Sequence, residues 1–162
     1  MLTIRLARES DREAIWTIFH EVVAKGDTYA LSPTISRAEA LDYWFRSDTY
    51  TYVAEDDGKT FGTYILRPNQ VGPGRHVANA AFMVASEAAG RGIGYAMGEH
   101  CLAEARRVGF RAMQFNFVVS TNQAAIRLWQ KLGFEIVGRL PQSFLHPTKG
   151  YVDAYVMFRS LR

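Results

Sequence analysis

Three glycines within five residues, Gly90, Gly92 and Gly94, form the segment of this chain with the clearest chemical potential. Glycine lets the backbone approach a ligand closely and turn several N–H groups toward one point. The apolar run Phe82 to Ala85, typical of a buried strand, precedes the glycines, and helical spacing of apolar residues follows from Tyr95 to Val108. At a helix N-terminus such donors bind anions. The sequence therefore predicts a phosphate-binding loop.

Two kinds of phosphate-binding loop share this appearance. A dinucleotide-binding Rossmann unit has the pattern G-x-G-x-x-G and an acidic residue at the end of the next strand. Here Met97 stands in place of the third glycine, and the predicted strand Ala112 to Val119 is followed by Ser-Thr-Asn with no acid. Half of the chain precedes the loop, whereas a Rossmann fingerprint usually lies in the first βα turn. A nucleotide-binding oxidoreductase is therefore the weaker alternative.

Two segments resemble the motifs of a known family. The stretch from Val84 to Ala96, with its Gly-Arg-Gly-Ile-Gly core, resembles the pyrophosphate-binding motif of the GCN5-related N-acetyltransferase (GNAT) superfamily, which binds acetyl-coenzyme A (acetyl-CoA). The segment from Asn122 to Phe134 is similar to the superfamily's pattern N-x-x-A-x-x-L-Y-x-K-x-G-F. The two motifs occur in the expected order, separated by a helix and a strand. The resemblance implies an acetyl-CoA-dependent N-acetyltransferase.

The resemblance also implies the fold. We expect an α/β (α+β) GNAT fold over residues 1–162, as a single N-acetyltransferase domain. Its mixed, mostly antiparallel sheet of about seven strands would be flanked by four helices, and a splay between two strands would admit the cofactor. Patterns along the chain predict the matching order β-α-α-β-β-β-α-β-α-β-β, with the last two strands over Phe134 to Leu140 and Val152 to Phe158.

Composition limits the possible partners. A hydrophobic content of 48% with 13% aromatic residues suits one folded domain and excludes disorder. The net charge of +3 comes from scattered lysines and arginines, so we expect no nucleic acid partner. No apolar run is long enough for a membrane span, the start shows no secretory signal, and the lone Cys101 suits a reducing compartment. We therefore expect a cytoplasmic protein without a metal, with a homodimer as a candidate assembly.

The resemblance assigns the cofactor site. The backbone of Phe82, Met83 and Val84 would hold the pantetheine arm, and the N–H of Val84 would polarise the thioester carbonyl. Ala89 stands where the family usually has Gln or Arg, and Arg91 would partly replace that lost phosphate contact. Asn122 has two open roles, helix capping and a hydrogen bond to the cofactor. The predicted cofactor residues are Phe82, Met83, Val84, Ala89, Gly90, Arg91, Gly92, Ile93, Gly94, Tyr95, Asn122, Ala125 and Trp129.

Neither a general acid nor a general base is evident. Trp129 stands where the family commonly has a tyrosine that protonates the departing thiolate, and an indole has no proton to give near neutral pH. We expect Trp129 to pack, since a thiolate of pKa about 8.5 leaves without strong assistance. Asn79 stands where relatives often carry an acid. Five other titratable residues are base candidates without a supporting pattern: His20, Glu21, Glu99, His100 and His146.

Asn79 and Asn116 are the central residues of the predicted acceptor site. Both lie in apolar sequence, where a buried amide needs a partner. Their surroundings, with Asn122, are similar to a GNAT subgroup whose fungal members acetylate proline analogues such as azetidine-2-carboxylate. We expect a small amine acceptor, with Asn79, Asn116 and Val84 taking part in catalysis. The predicted acceptor pocket contains Tyr29, Trp44, Asn79, Asn116, Phe144 and His146. Two satisfied core amides, and a non-catalytic acyl-CoA-binding or sensing module, are the alternatives.

Overall fold

A single seven-stranded sheet organises the computed structural model, which describes all 162 residues. The strands are β1 (Thr3–Leu6), β2 (Tyr50–Asp56), β3 (Lys59–Pro68), β4 (Val77–Val84), β5 (Ala112–Val119), β6 (Glu135–His146) and β7 (Gly150–Ser160). The helices are α1 (Arg12–Ala24), α2 (Arg37–Trp44), α3 (Ile93–Arg107) and α4 (Gln123–Lys131). The predicted fold class and element order are confirmed.

The sheet separates two hydrophobic layers. Alternate side chains of a strand point to opposite faces, so Val53 and Ile65 pack against α1 and α2, whereas Tyr52 and Tyr64 lie on the side of α3 and α4. Helix α2 begins where Ser36 caps it, since the hydroxyl of Ser36 accepts a hydrogen bond from the N–H of Glu39 at 3.1 Å. Both faces of the central strands are therefore covered by helices.

Strands β4 and β5 form the only parallel pair in the strand order β1-β2-β3-β4-β5-β7-β6. They pair only at Val77 with Ala112 and at Ala78 with Met113. Beyond Ala78 they separate, and the side-chain Nδ2 of Asn79 donates to the carbonyl of Gln114 at 2.9 Å where the ladder ends. The predicted splay is therefore present between these strands.

The last hairpin is longer than the sequence pattern predicts. Strand β6 continues through Pro141 to His146, whereas the prediction ended at Leu140. Proline fits an edge strand at an irregularity, and here the register shifts between Leu140 and Phe144 while Gln142 takes a φ of 48°. The N–H of Gln142 donates to the carboxylate of Asp153 at 2.9 Å, which holds the irregular segment on β7.

None of the helices has both the length and the run of apolar residues that crossing a membrane would require.

Candidate active site

The splay between β4 and β5 opens a cleft of about 810 Å³. This volume lies in the range of small-molecule sites, about 300–1,000 Å³. The cleft is bounded by β4, β5, the end of α1, the loop of residues 28–31, Tyr43 of α2, the loop from Ala85 into α3, and α4. Of its 31 lining residues 22 are hydrophobic, so a few polar groups determine what it binds.

The hydrogen-bond pattern of β4 shows which backbone groups face the cleft. Ala85 N donates to Phe61 O, and Asn69 N donates to Val77 O, so the odd-numbered residues of β4 pair with β3. The backbone of Met83 therefore faces β3, and its predicted contact with the pantetheine is wrong. The N–H of Val84 faces the opening, beyond the last residue pair with β5.

Tyr29 already contacts the backbone of Phe82. Its hydroxyl donates to Phe82 O at 2.5 Å and accepts from Phe82 N at 3.2 Å. Burial raises the pKa of Tyr29, so this hydroxyl stays protonated at neutral pH. Among Phe82, Met83 and Val84, only Val84 has a backbone N–H without a partner, because Phe82 is hydrogen-bonded to Tyr29 and Met83 pairs with β3.

The glycine loop leaves several backbone donors without partners beside the cleft. Gly90 and Gly92 adopt φ values of 79° and 78°, a left-handed backbone that favours glycine. The first helical hydrogen bond of α3 runs from Ala96 N to Gly92 O, so the N–H groups of residues 92–95 have no partner within the helix. The N–H of Arg91 is different, because it donates to Ala88 O at 3.3 Å. The backbone N–H of Arg91, one of the predicted cofactor residues, therefore already has a partner within the protein.

Two side chains of the predicted cofactor site point away from the cleft. The guanidinium of Arg91 lies 4.7 Å from the centre of the Phe61 ring and 3.9 Å from the carboxylate of Asp56. The ring of Tyr95 lies 4.8 Å from the ammonium of Lys131. In this arrangement the side chain of Tyr95 does not reach the cleft, and a phosphate contact by Arg91 requires its side chain to leave Phe61.

Helix α4 supplies a cap and an aromatic floor. Oδ1 of Asn122 accepts from Ala125 N at 3.3 Å, which caps the helix, while its Nδ2 makes no hydrogen bond and lies at the cleft. Trp129 is 8% exposed and packs on Phe82 and Phe115, with ring centres 4.8 and 4.7 Å away. Both open roles of Asn122 are therefore compatible, and Trp129 occupies a packing position.

The cleft lining contains three of the six residues predicted for the acceptor pocket, Tyr29, Asn79 and Asn116. Because Asn79 donates to a carbonyl, its Nδ2 is fixed there and its Oδ1 stays unpartnered. Asn116 is exposed, not buried as its apolar neighbours suggest, and its amide bonds to the side chains of Asn69 and Gln114. Asn79 is therefore the better placed of the two amides.

The other three predicted pocket residues lie outside the cleft lining. Trp44 is fully buried between α1 and the sheet, and its Nε1 donates to the hydroxyl of Thr63 at 2.9 Å. Phe144 is buried beside Phe117. The Nδ1 of His146 accepts from the backbone of the β6–β7 turn. Trp44 is a core residue because the apolar face of α2 turns it inward.

Sequence reasoning missed Leu31, Tyr43 and Phe117, which also line the cleft. Tyr43 precedes Trp44, the residue predicted to line the pocket, and helical spacing alone does not show which of these two side chains reaches the cleft. No Asp, Glu or His side chain lines the cleft, so none of the five base candidates reaches it. His100, for example, bonds to the hydroxyl of Tyr64 at 2.8 Å, and burial lowers its pKa.

No group of three or more His, Cys, Asp or Glu side chains is arranged to hold a metal ion. The polar groups at the cleft are instead backbone donors, amides, hydroxyls and the side chain of Lys25.

Comparison with known proteins identifies the family. Residues 13–134 match the model of the acetyltransferase (GNAT) family. The chain belongs to that family. Among solved structures, a GCN5-related N-acetyltransferase from Kribbella flavida is similar, with 46% identity, a TM-score of 0.94 and coverage of 98% of this chain and 97% of that one. The acetyltransferase yncA from Salmonella typhimurium, solved with its cofactor acetyl-CoA, has 25% identity, a TM-score of 0.89 and coverage of 100% and 95%.

Two curated relatives in the GNAT family add sequence similarity. N-acetyltransferase aca1 of Schizosaccharomyces pombe is 32% identical over 83% of this chain and 72% of its own length. L-amino acid N-acyltransferase MnaT of Escherichia coli is 28% identical over 87% of this chain and 84% of its own length. The sequence-based assignment to the GNAT superfamily, and to enzymes that are N-acetyltransferases, is therefore confirmed.

Proposed function

We propose that this protein transfers the acetyl group of acetyl-CoA to the amine of a small molecule, an amino acid or an amino-acid analogue, by direct attack in a ternary complex. One observation carries the proposal. The cleft joins a set of unpartnered helix N-terminal donors at one end to the unpartnered Oδ1 of Asn79 at the other, along the opened edge of β4. The donors proposed to bind the anion and the Asn79 oxygen proposed to bind the amine thus lie along the same strand, β4.

The cofactor end has the donors that a pyrophosphate needs. The N–H groups of Gly92 to Tyr95 and the dipole of α3 favour a negatively charged ligand. A side chain at Gly94 would lie 3.3 Å from Cδ2 of Leu128, so glycine keeps room between the loop and α4. The N–H of Val84, and Nδ2 of Asn122, remain for the pantetheine and thioester. When bound, acetyl-CoA supplies an activated acyl group.

The reacting end positions and shields the amine. The unpartnered Oδ1 of Asn79 accepts a hydrogen bond from the acceptor nitrogen, and the Val84 N–H stabilises the negative charge that develops on the thioester oxygen. Apolar residues around them exclude water. Because no carboxylate or imidazole lines the cleft, we propose that the acceptor loses its ammonium proton to solvent and attacks as the free amine.

A small acceptor suits the cleft better than a protein does. A lysine-rich polypeptide would favour an acidic surface, and no acidic side chain lines this cleft. Substrates of amino-acid type also agree with the name of the relative MnaT, an L-amino acid N-acyltransferase. We further propose a cytoplasmic location, supported by the requirement for acetyl-CoA and by the free, buried Cys101. A homodimer stays a prediction.

The test is an acceptor panel. Purified protein is mixed with acetyl-CoA and, one at a time, with L-amino acids, cyclic imino acids, their amides and simple amines, and released thiol and acetylated product are both measured. Transfer to a small amine supports the proposal.

The competing function is a non-catalytic acyl-CoA-binding module, favoured by the missing base and by Trp129 in place of tyrosine. Tight acetyl-CoA binding by calorimetry, without transfer to any member of the panel, would favour that module instead. Weak binding of acetyl-CoA combined with tight NAD binding would contradict both functions.

A further inference from the structure

Arg67, near the end of β3, is a buried cation without a carboxylate partner. The residue is 5% exposed, and no carboxylate oxygen lies within 4 Å of its guanidinium. Its Nη2 donates to the carbonyl of Tyr43 at 3.0 Å, and its Nε is buried with no hydrogen-bond partner at all. Burial lowers the pKa of Arg67. A buried charge of this kind is costly unless another group neutralises it.

Asp48 is the carboxylate whose charge acts on Arg67, but it is hydrogen-bonded to other residues. Asp48 accepts from Arg46 at 2.8 Å and from the hydroxyl of Thr49 at 2.9 Å. Asp48 therefore acts on Arg67 only from a distance, and the guanidinium of Arg67 has no ion pair within 4 Å.

The position of Arg67 connects this charge to the acceptor. Arg67 and Asn79 are direct partners in the β3–β4 register and point to the same face of the sheet. The Cζ of Arg67 lies 4.8 Å from the centre of the Tyr43 ring, and both Tyr43 and Asn79 line the cleft. The charge thus lies directly behind the wall where the amine is proposed to bind.

From this juxtaposition we infer that Arg67 is a specificity-determining residue, which selects acceptors that carry a carboxylate next to the amine. The acceptor carboxylate adds a negative charge to that of the distant Asp48, while Oδ1 of Asn79 holds the neighbouring nitrogen. In a low-dielectric wall the attraction acts over several ångströms without direct contact. This inference rests on the proposed function and assigns Arg67 no chemical step.

The first test uses the unmodified protein. Its kcat/KM is measured with the best amino acid of the panel, with the amide of that amino acid, and with the corresponding amine that lacks the carboxyl group. The inference expects at least a tenfold preference for the acid over both neutral compounds. Equal values for the three compounds would overturn the inference and leave the proposed acetyl transfer intact, whereas no transfer to any compound would refute the proposed function itself.

The second test uses two variants. Arg67→Met keeps much of the side-chain volume without charge, and Arg67→Lys keeps the charge. We expect R67M to raise the KM for the amino acid about tenfold or more with little change in kcat, to leave both neutral acceptors nearly unchanged, and R67K to restore most of the preference. A parallel loss with all three acceptors, accompanied by a lower Tm, would instead show a structural residue and overturn the inference.

Discussion

Introducing a carboxylate at Gly92 tests the phosphate-binding loop by adding one negative charge to it. Gly92 caps α3 at a φ of 78°, and a Cβ built there meets no atom within 4 Å. Gly92→Asp therefore introduces backbone strain of about 1–2 kcal/mol without a steric clash. The fold should survive, since native domains are stable by about 5–15 kcal/mol.

Repulsion between the new carboxylate and a bound phosphate should weaken binding more than the backbone strain does. Two unit charges 4 Å apart repel by about 4 kcal/mol at an effective dielectric constant of about 20. Halving this value because Gly92 is exposed leaves about 2 kcal/mol, which corresponds to about 30-fold weaker acetyl-CoA binding. The repulsion is screened by salt, so the loss should shrink as ionic strength rises.

Calorimetry with acetyl-CoA measures this loss, and two variants separate charge from strain. Gly92→Asn has nearly the same shape without the charge, so it should bind much more tightly than Gly92→Asp. Gly150→Asp adds the same carboxylate at a φ of 74° in the remote β6–β7 turn, again with no atom near the new Cβ. It should lose similar thermal stability and retain full affinity. Affinity of folded Gly92→Asp within threefold of wild type would refute the loop assignment.

Four further predictions follow from the same geometry. Trp129→Phe should keep most of its turnover because the indole packs on aromatic rings, and a thousandfold fall in kcat with unchanged CoA affinity would contradict that role. Asn79→Ala should lower kcat/KM for the acceptor about tenfold or more. Asn116→Ala should have the smaller effect, because the wild-type Asn116 amide already has side-chain partners. Equal losses in the two variants would contradict the assignment of the amine contact to Asn79. The kcat/KM should rise with pH along the acceptor's own amine titration, so two acceptors of different amine pKa should give correspondingly different profiles, and one shared profile would reveal a protein base. Hydrogen bonds from Arg107 and then from Tyr52 lower the pKa of Glu104 from 4.5 to about 2, so the ionised carboxylate stabilises the fold above pH 4.5 and this stabilisation is lost as the pH falls toward 2. The free energies of unfolding in urea of wild type and Glu104→Gln should therefore converge at low pH. A difference between them that stays constant with pH would be evidence against this linkage.

Local sequence was sufficient for features that short-range chemistry determines. Closely spaced glycines before a helical pattern predicted the donors at the start of α3, and Asn122 was predicted as a possible cap because a short polar side chain satisfies the first turn. The element order followed from hydrophobic periodicity. These features depend on residues a few positions apart, and so a single chain read in order reveals them.

Features that depend on distant partners could not be read in this way. Period-two alternation does not show that Met83 directs its backbone toward β3, because the register with β3 decides it. Likewise, Trp44 and its neighbour Tyr43 are adjacent aromatics, and only the packing of α2 on the sheet buries one and brings the other to the cleft. Pro141 ended a predicted strand that in fact continues through an irregularity held by Asp153.

The sequence also does not reveal that Arg67 is buried without an ion pair, since an arginine in a sequence normally indicates an exposed charge. Its burial arises where the end of β3 meets the C-terminus of α2. The missing ion pair can be recognised only when every surrounding side chain is in place.

Labelled acetyl transfer tests the central claim most directly. The protein is incubated with acetyl-CoA carrying an isotopically labelled acetyl group and with the preferred amino acid, and mass spectrometry follows the label while thiol release is counted. The account predicts one N-acetylated product for each CoA released, with the label on the amine nitrogen and a rate proportional to enzyme concentration. Tight binding of acetyl-CoA with the label still on the thioester, or release of labelled acetate in place of the acetylated amine, would contradict it.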